Sequence, residues 1–147
     1  MEAGSEKLEA YLKELSRAAE GTFWDFIGCQ IGECHREKVV VTLGIQPHHL
    51  NLIGILHGGV HAAMIDSAMG IAAMASRPQE TVVTTNLHLH YVAPVRQGTV
   101  TVTAEIVHSS RRMIHAEARA CNDGGELLAF GTGTFRVIEK SPGGGPA

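Results

Sequence analysis

The sequence predicts an α+β fold: one long apolar helix, an antiparallel sheet of five or six strands curled around it, and an extra helix at the N-terminus. Three observations carry this expectation. The segment 58–76 is rich in Ala, Met and Ile on nearly every face, and a helix with so little polar surface is normally enclosed by protein. Everything after it falls into short runs of strand type separated by turn residues. Finally, 147 residues with 44% hydrophobic and 18% charged side chains suffice for one packed core.

The elements follow in order. Residues 4–20 read as a surface helix, because Leu8, Leu12 and Leu15, with Tyr11 beside them, recur at three- and four-residue steps among Lys and Glu. Gly21 is its stop signal. Two strands are expected next, 26–31 and 39–43, joined by a turn over 33–38. Residues 46–56 form a loop containing Pro47, His48, His49 and Asn51. The long helix runs from 58 to about 76 and ends at Arg77-Pro78. Strands are then expected over 81–91, 98–108, 113–121 and 127–138. The chain thus divides into a helix over 1–20, one domain over 21–139 and a Gly- and Pro-rich tail over 140–147. A sheet wrapped on one helix leaves a sheet edge and a helix flank uncovered, which favours dimerisation.

Composition excludes several classes. A formal net charge of −3 does not suit a nucleic-acid surface, which needs surplus Lys and Arg. No run of 18 apolar residues is present, so no membrane span is expected, and the charged, amphipathic start does not read as a signal peptide. Cys29, Cys34 and Cys121 are odd in number and lack metal-like spacing, which reads as reduced thiols in a cytoplasmic protein. Nine histidines invite a metal reading, but no HExxH or CxxC occurs, and no metal is expected. His88, His90, His108 and His115 read as a polar outer sheet face, available to a dimer of dimers. His48, His49 and His61 read as loop and helix surface, with His61 close to the candidate site. Met64, Met69 and Met74 line either the core or a ligand pocket, the core being the plainer reading.

The informative segment runs from Asn51 through His57-Gly58-Gly59 to Asp66. Two glycines at a helix N-terminus leave amide N–H groups unpaired and unshielded, which suits an anion or a developing oxyanion; the plainer alternative is a tight turn. Asp66 is the one charged residue between Leu50 and Ser76. Such a carboxylate is either a structural acceptor or a base or nucleophile. Eight residues of helix separate Gly58 from Asp66, roughly 12 Å along the axis. A donor and an attacking carboxylate serving one carbonyl need to lie within about 6–7 Å. If both act, Gly58 of one chain meets Asp66 of a second across antiparallel helices, and a two-fold dimer with shared sites is expected.

With Leu87-His-Leu-His-Tyr91-Val-Ala-Pro94 and Ser110-Arg111-Arg112 added to this segment, the sequence resembles the hotdog-fold acyl-CoA thioesterases over about residues 25–138. The likeness is to the branch related to the phenylacetate-pathway and 4-hydroxybenzoyl-CoA thioesterases. The resemblance implies a hotdog fold that hydrolyses a small aromatic or medium-chain acyl-CoA, with coenzyme A as part of the substrate and no cofactor required. It implies that the Gly58 N–H polarises the thioester carbonyl and that Asp66 activates water or attacks directly. Asn51 would hold the water or the thioester region, His57 would sit towards the sulfur, and Thr84 would place a water-positioning hydroxyl. Strand alternation, however, sets Thr84 with Asn86, His88 and His90 on the polar face, pointing away from the helix. Gly70 departs from the Ser or Thr of many relatives. Tyr91, Val92, Ala93 and Pro94, with His108, Ser109, Ser110, Arg111, Arg112 and Met113, would line the nucleotide end, where two guanidiniums suit phosphate. Two alternatives stand beside hydrolysis: a hotdog hydratase or dehydratase using His57 with Asp66, and a non-catalytic acyl-CoA-binding protein.

Overall fold

The computed structural model describes residues 2–35 and 37–138, with side chains from residue 4 onward. The tail expected over 140–147 lies outside the described residues. The elements are α1 (Glu2–Ala19), α2 (Phe23–Ile27), β1 (Gln30–Cys34), β2 (Lys38–Gly44), α3 (Gly58–Ser76), β3 (Thr81–Tyr91), β4 (Thr99–Ser109), β5 (Met113–Cys121) and β6 (Leu127–Ile138). A single 3-10 turn, Pro47–His49, interrupts the loop before α3.

The strands form one antiparallel six-stranded sheet in the order β1-β2-β4-β5-β6-β3. α3 packs across β2 to β6. Its inward face carries Met64, Ile65, Ala68 and Met69, all at 0% exposure, against Val41, Val102, Ala116 and Leu128 of the sheet. Fully burying a large apolar side chain contributes about 1.5–3 kcal/mol. That outweighs the roughly 1 kcal/mol that Gly70 costs in the middle of the helix. Close approach of helix to sheet depends on Gly133: a Cβ there would lie 2.8 Å from Met69 Cε. Met64 and Met69 are therefore core, whereas Met74 borders a cavity described below.

One element departs from expectation. Residues 26 and 27 belong to a short helix, and the first strand begins only at Gln30. Gly28 explains the difference. Its φ of 87° places it in the left-handed region, and its N–H donates to the carbonyls of Trp24 and Asp25, closing α2. Asp25 secures the other end by accepting the Gly21 N–H at 2.9 Å.

The bulge in β3 matters most for function. Thr84 pairs with Phe135 and Asn86 with Thr134, so Thr85 is an extra residue. An extra residue reverses which parity faces the helix. Val82 and Thr84 face inward before the bulge, while Leu87 and Leu89 do so after it.

Candidate active site

Three local devices shape the N-terminus of α3. His57 is the N-cap, with φ −62° and ψ 135°, and its Nδ1 accepts the Gly59 N–H at 2.8 Å. The Val60 N–H donates to the His57 carbonyl at 2.9 Å. The Gly58 N–H donates to no described residue. Capping thus consumes its neighbours and leaves one amide of the first turn pointing outward with a partial positive charge. Because Nδ1 of His57 accepts, the neutral ring carries its proton on Nε2.

Tyr91 fixes this turn from the sheet. Its hydroxyl donates to the Gly58 carbonyl at 2.8 Å. A Cβ on Gly58 would lie 3.3 Å from Tyr91 Cζ and Oη, so the ring is seated where a side chain would otherwise stand. His61 meets the same ring edge-on at 5.8 Å. His61 is 4% exposed, and its Nδ1 has no hydrogen-bond partner among the described residues. Burial pushes its imidazole below the ordinary value.

Two turns along α3, Asp66 is half-buried. Thr84 Oγ1 donates to Asp66 Oδ1 at 2.8 Å. This corrects the alternation argument: the bulge at Thr85 turns Thr84 towards the helix rather than away from it. Among the described residues no cation lies within ion-pair reach of Asp66. The carboxylate and hydroxyl border a cavity of about 790 Å³ between α3, β3, β1 and the two N-terminal helices.

Asn51 shapes its own loop. Its Oδ1 accepts the N–H groups of Ile53 at 3.1 Å and Ile55 at 3.2 Å, and Arg96 Nη1 caps the carbonyls of Ile53 and Gly54. His49 and His61, expected on the surface, are both buried. His49 ties the loop to α2, with its Nε2 2.7 Å from the Ile27 carbonyl oxygen and Nδ1 accepting from the Gln46 N–H. These internal bonds satisfy polar atoms that a surface reading leaves to water.

The expected nucleotide residues do not converge within one chain. Tyr91 sits at the start of α3, and the Val92 and Ala93 N–H groups donate to the Leu128 carbonyl; Pro94 follows them. The 109–112 turn sits at the other end, where Arg77 donates to Ser109 Oγ at 2.9 Å and to the carbonyls of Ser110 and Arg111. The Ser110 hydroxyl and the Met113 N–H close that turn at 3.2 Å, and the Arg112 carbonyl accepts from Val137. Nineteen residues of α3 span about 28 Å between the two segments. His108 lies on the outer sheet face, 6.1 Å from His115, and His90 stacks on Phe130 at 4.9 Å. Among the described residues no cluster of three His, Cys, Asp or Glu side chains could hold a metal ion, and no helix is long and apolar enough to cross a membrane.

A six-stranded antiparallel sheet packed on one long helix is the frame of a known class of proteins. Residues 53–129 match the Thioesterase superfamily, and the chain belongs to that family, with its hotdog fold. The protein Rv1847 of Mycobacterium tuberculosis is 30% identical over 120 residues, covering 79% of this chain and 86% of that protein. Its solved structure superposes with a TM-score of 0.79 over 82% of this chain and 98% of that one. Acyl-coenzyme A thioesterase 13 of Mus musculus is 28% identical over 67% of this chain and 71% of its own length. A mutant of the phenylacetic acid degradation protein PaaI of Thermus thermophilus, 27% identical, matches with a TM-score of 0.74 over 79% of this chain and 98% of its own.

Proposed function

We propose that the protein is an acyl-CoA thioesterase that hydrolyses acyl-CoA to the free acid and coenzyme A at sites shared between two copies of the chain. The observation that carries this reading is the division of labour on α3. Its first turn keeps one amide free at Gly58, and its middle keeps a half-buried carboxylate hydrogen-bonded to Thr84. Each suits one half of an attack on a thioester carbonyl. Roughly 12 Å of helix keeps them from serving one carbonyl within a chain.

An antiparallel pairing of two α3 helices removes that separation. One flank of α3 carries small residues, exposed Gly59 and half-buried Ala62, Ala63 and Ser67, which let a second helix approach. Beside it, β3 forms the sheet edge, with ten of its eleven residues paired on one side only. Setting Asp66 against the partner's Gly58 places the two-fold axis near residue 62. The 109–112 turn then lies towards the partner's Tyr91–Pro94 segment. Residues that stand at opposite ends of one chain thus face one nucleotide from two chains.

In this site the partner's Gly58 N–H binds the carbonyl oxygen as it becomes an oxyanion. Asp66 either takes the proton from an attacking water or attacks the carbonyl carbon itself; Thr84 holds the carboxylate in place. Collapse of the tetrahedral intermediate breaks the C–S bond and releases the thiolate of coenzyme A; on the direct route the acyl group is left on Asp66 as a mixed anhydride, which a water then hydrolyses to the free acid and the carboxylate. Single turnover in oxygen-18 water separates the two routes, because label enters the Asp66 carboxylate only when water hydrolyses a mixed anhydride at the Asp66 carbonyl carbon. A hydratase reading suits the site less well, since His57 Nδ1 is already committed to the Gly59 N–H. Three free cysteines fit a reducing, cytoplasmic setting.

The test is a panel of CoA esters assayed for thiol release. Asp66→Asn is expected to lower kcat/KM by at least about 100-fold, or about 2.7 kcal/mol of barrier, with the fold intact. No release from any ester by the unaltered protein contradicts the reading.

A further inference from the structure

We propose that the cavity beside Asp66 takes the acyl end of the substrate and that its wall from α1 and α2 restricts the protein to uncharged acyl groups. The inference rests on the thioesterase reading of Asp66 and names the substrate class of that same site.

The cavity holds about 790 Å³, enough for a medium-length or aromatic acyl group. Ile71 and Met74 of α3, Val82 of β3 and Phe135 of β6 form one apolar side. Leu15 of α1 and Trp24 of α2 form the facing side. Asp66 and Thr84 stand on the wall between, so a thioester carbonyl held at Asp66 directs its acyl chain into this space.

Charge decides which end of the substrate enters. The acidic side chains lining the cavity are Glu20, Asp25 and Asp66, and no Lys, Arg or His borders it among the described residues. The Cys29 thiol on the same wall is pushed up to about 12 by burial and stays neutral. The polyanionic nucleotide of coenzyme A therefore finds no counter-charge here, and the acyl end does not need one. An acyl group ending in a second carboxylate loses its hydration against the apolar walls and meets Glu20 and Asp25, which are exposed and add a screened repulsion, so both effects disfavour it. These two carboxylates and Trp24 precede residue 53, where the family match begins, so the selectivity comes from the part of the chain outside it.

The test compares octanoyl-CoA with its ω-carboxylated counterpart of equal length. The unaltered protein is expected to show a kcat/KM at least about 100-fold lower for the carboxylated ester. In Glu20→Gln/Asp25→Asn that ratio is expected to narrow at least about fivefold. Equal rates for the two esters overturn the proposal while leaving hydrolysis in place. Occupancy has its own reporter, since Trp24 is the single tryptophan of the chain. Titrating Asp66→Asn with octanoyl-CoA is expected to give a saturable change in Trp24 emission, and the carboxylated ester much less. Octanoyl-CoA that binds by calorimetry without altering Trp24 emission also overturns the proposal. A Trp24 response to octanoyl-CoA alone, with no turnover of either ester by the unaltered protein, upholds the cavity assignment and removes the thioesterase reading. Should Asp66→Asn fail to fold, the ratio of rates in the unaltered protein decides.

Discussion

Thr84 shows how far a single side chain can be read from its neighbours in sequence. Simple alternation turns it outward, yet one extra residue at Thr85 reverses the parity and sets its hydroxyl 2.8 Å from Asp66. A bulge leaves no mark in a run of Val, Thr and Asn, so only the paired strand reveals it. Thr84→Val is expected to lower kcat about tenfold with little change in KM, and Thr84→Ser to retain most of the rate, as a bond to a charged acceptor implies. Steady-state kinetics of both variants check this. Gly58, Gly59 and Asp66 were legible because their spacing on a helix is fixed by geometry. His61 was not: its burial depends on Tyr91 arriving from β3. The folded protein resists protonating His61, whereas the unfolded chain takes up that proton near pH 6.5. Stability is therefore expected to be level above that pH and to fall below it. Thermal unfolding followed from about pH 8 to about pH 5 checks the sign, and His61→Leu should flatten the acid limb.

At the level of elements, hydrophobic period and turn chemistry were enough for α1, α3 and the last four strands. The enclosed character of α3 follows from its composition, and the strand breaks follow from their Gly, Pro, Asn and Ser residues. α2 was hidden because Phe23–Ile27 is too short to show a helical period, and its stop depends on the left-handed Gly28. The edges of the structure are set by close contacts as much as by period. Tyr91→Phe removes the hydroxyl that holds the first turn of α3 and is expected to cost about 1 kcal/mol in denaturant unfolding. Gly133→Ala places a methyl 2.8 Å from Met69 Cε. It is expected to destabilise by about 1 kcal/mol, because the flexible end of Met69 must swing aside and Phe135 is crowded at 3.1 Å within a packed core.

At the level of the whole molecule, the account depends on two copies of the chain completing each site. The structure supports this through the uncovered flank of α3 and the open edge of β3. In such a dimer the 109–112 turn and the Tyr91–Pro94 segment, far apart along α3, come from two chains to the proposed nucleotide site. The direct test mixes two inactive chains, Gly58→Pro and Asp66→Asn. Proline is tolerated at the first helical position, removes the N–H and follows a residue whose ψ of 135° already suits it; its Cβ would lie 3.3 Å from the Tyr91 ring, which must shift by a few tenths of an ångström, so folding of the variant is checked by circular dichroism first. Each variant alone is expected to be inactive. Co-expressed in equal amounts, about half the dimers are mixed and each mixed dimer has one intact site of two, so about a quarter of the unaltered activity returns. Activity that stays at the level of the separate variants, with mixed dimers present by mass spectrometry, contradicts the shared site.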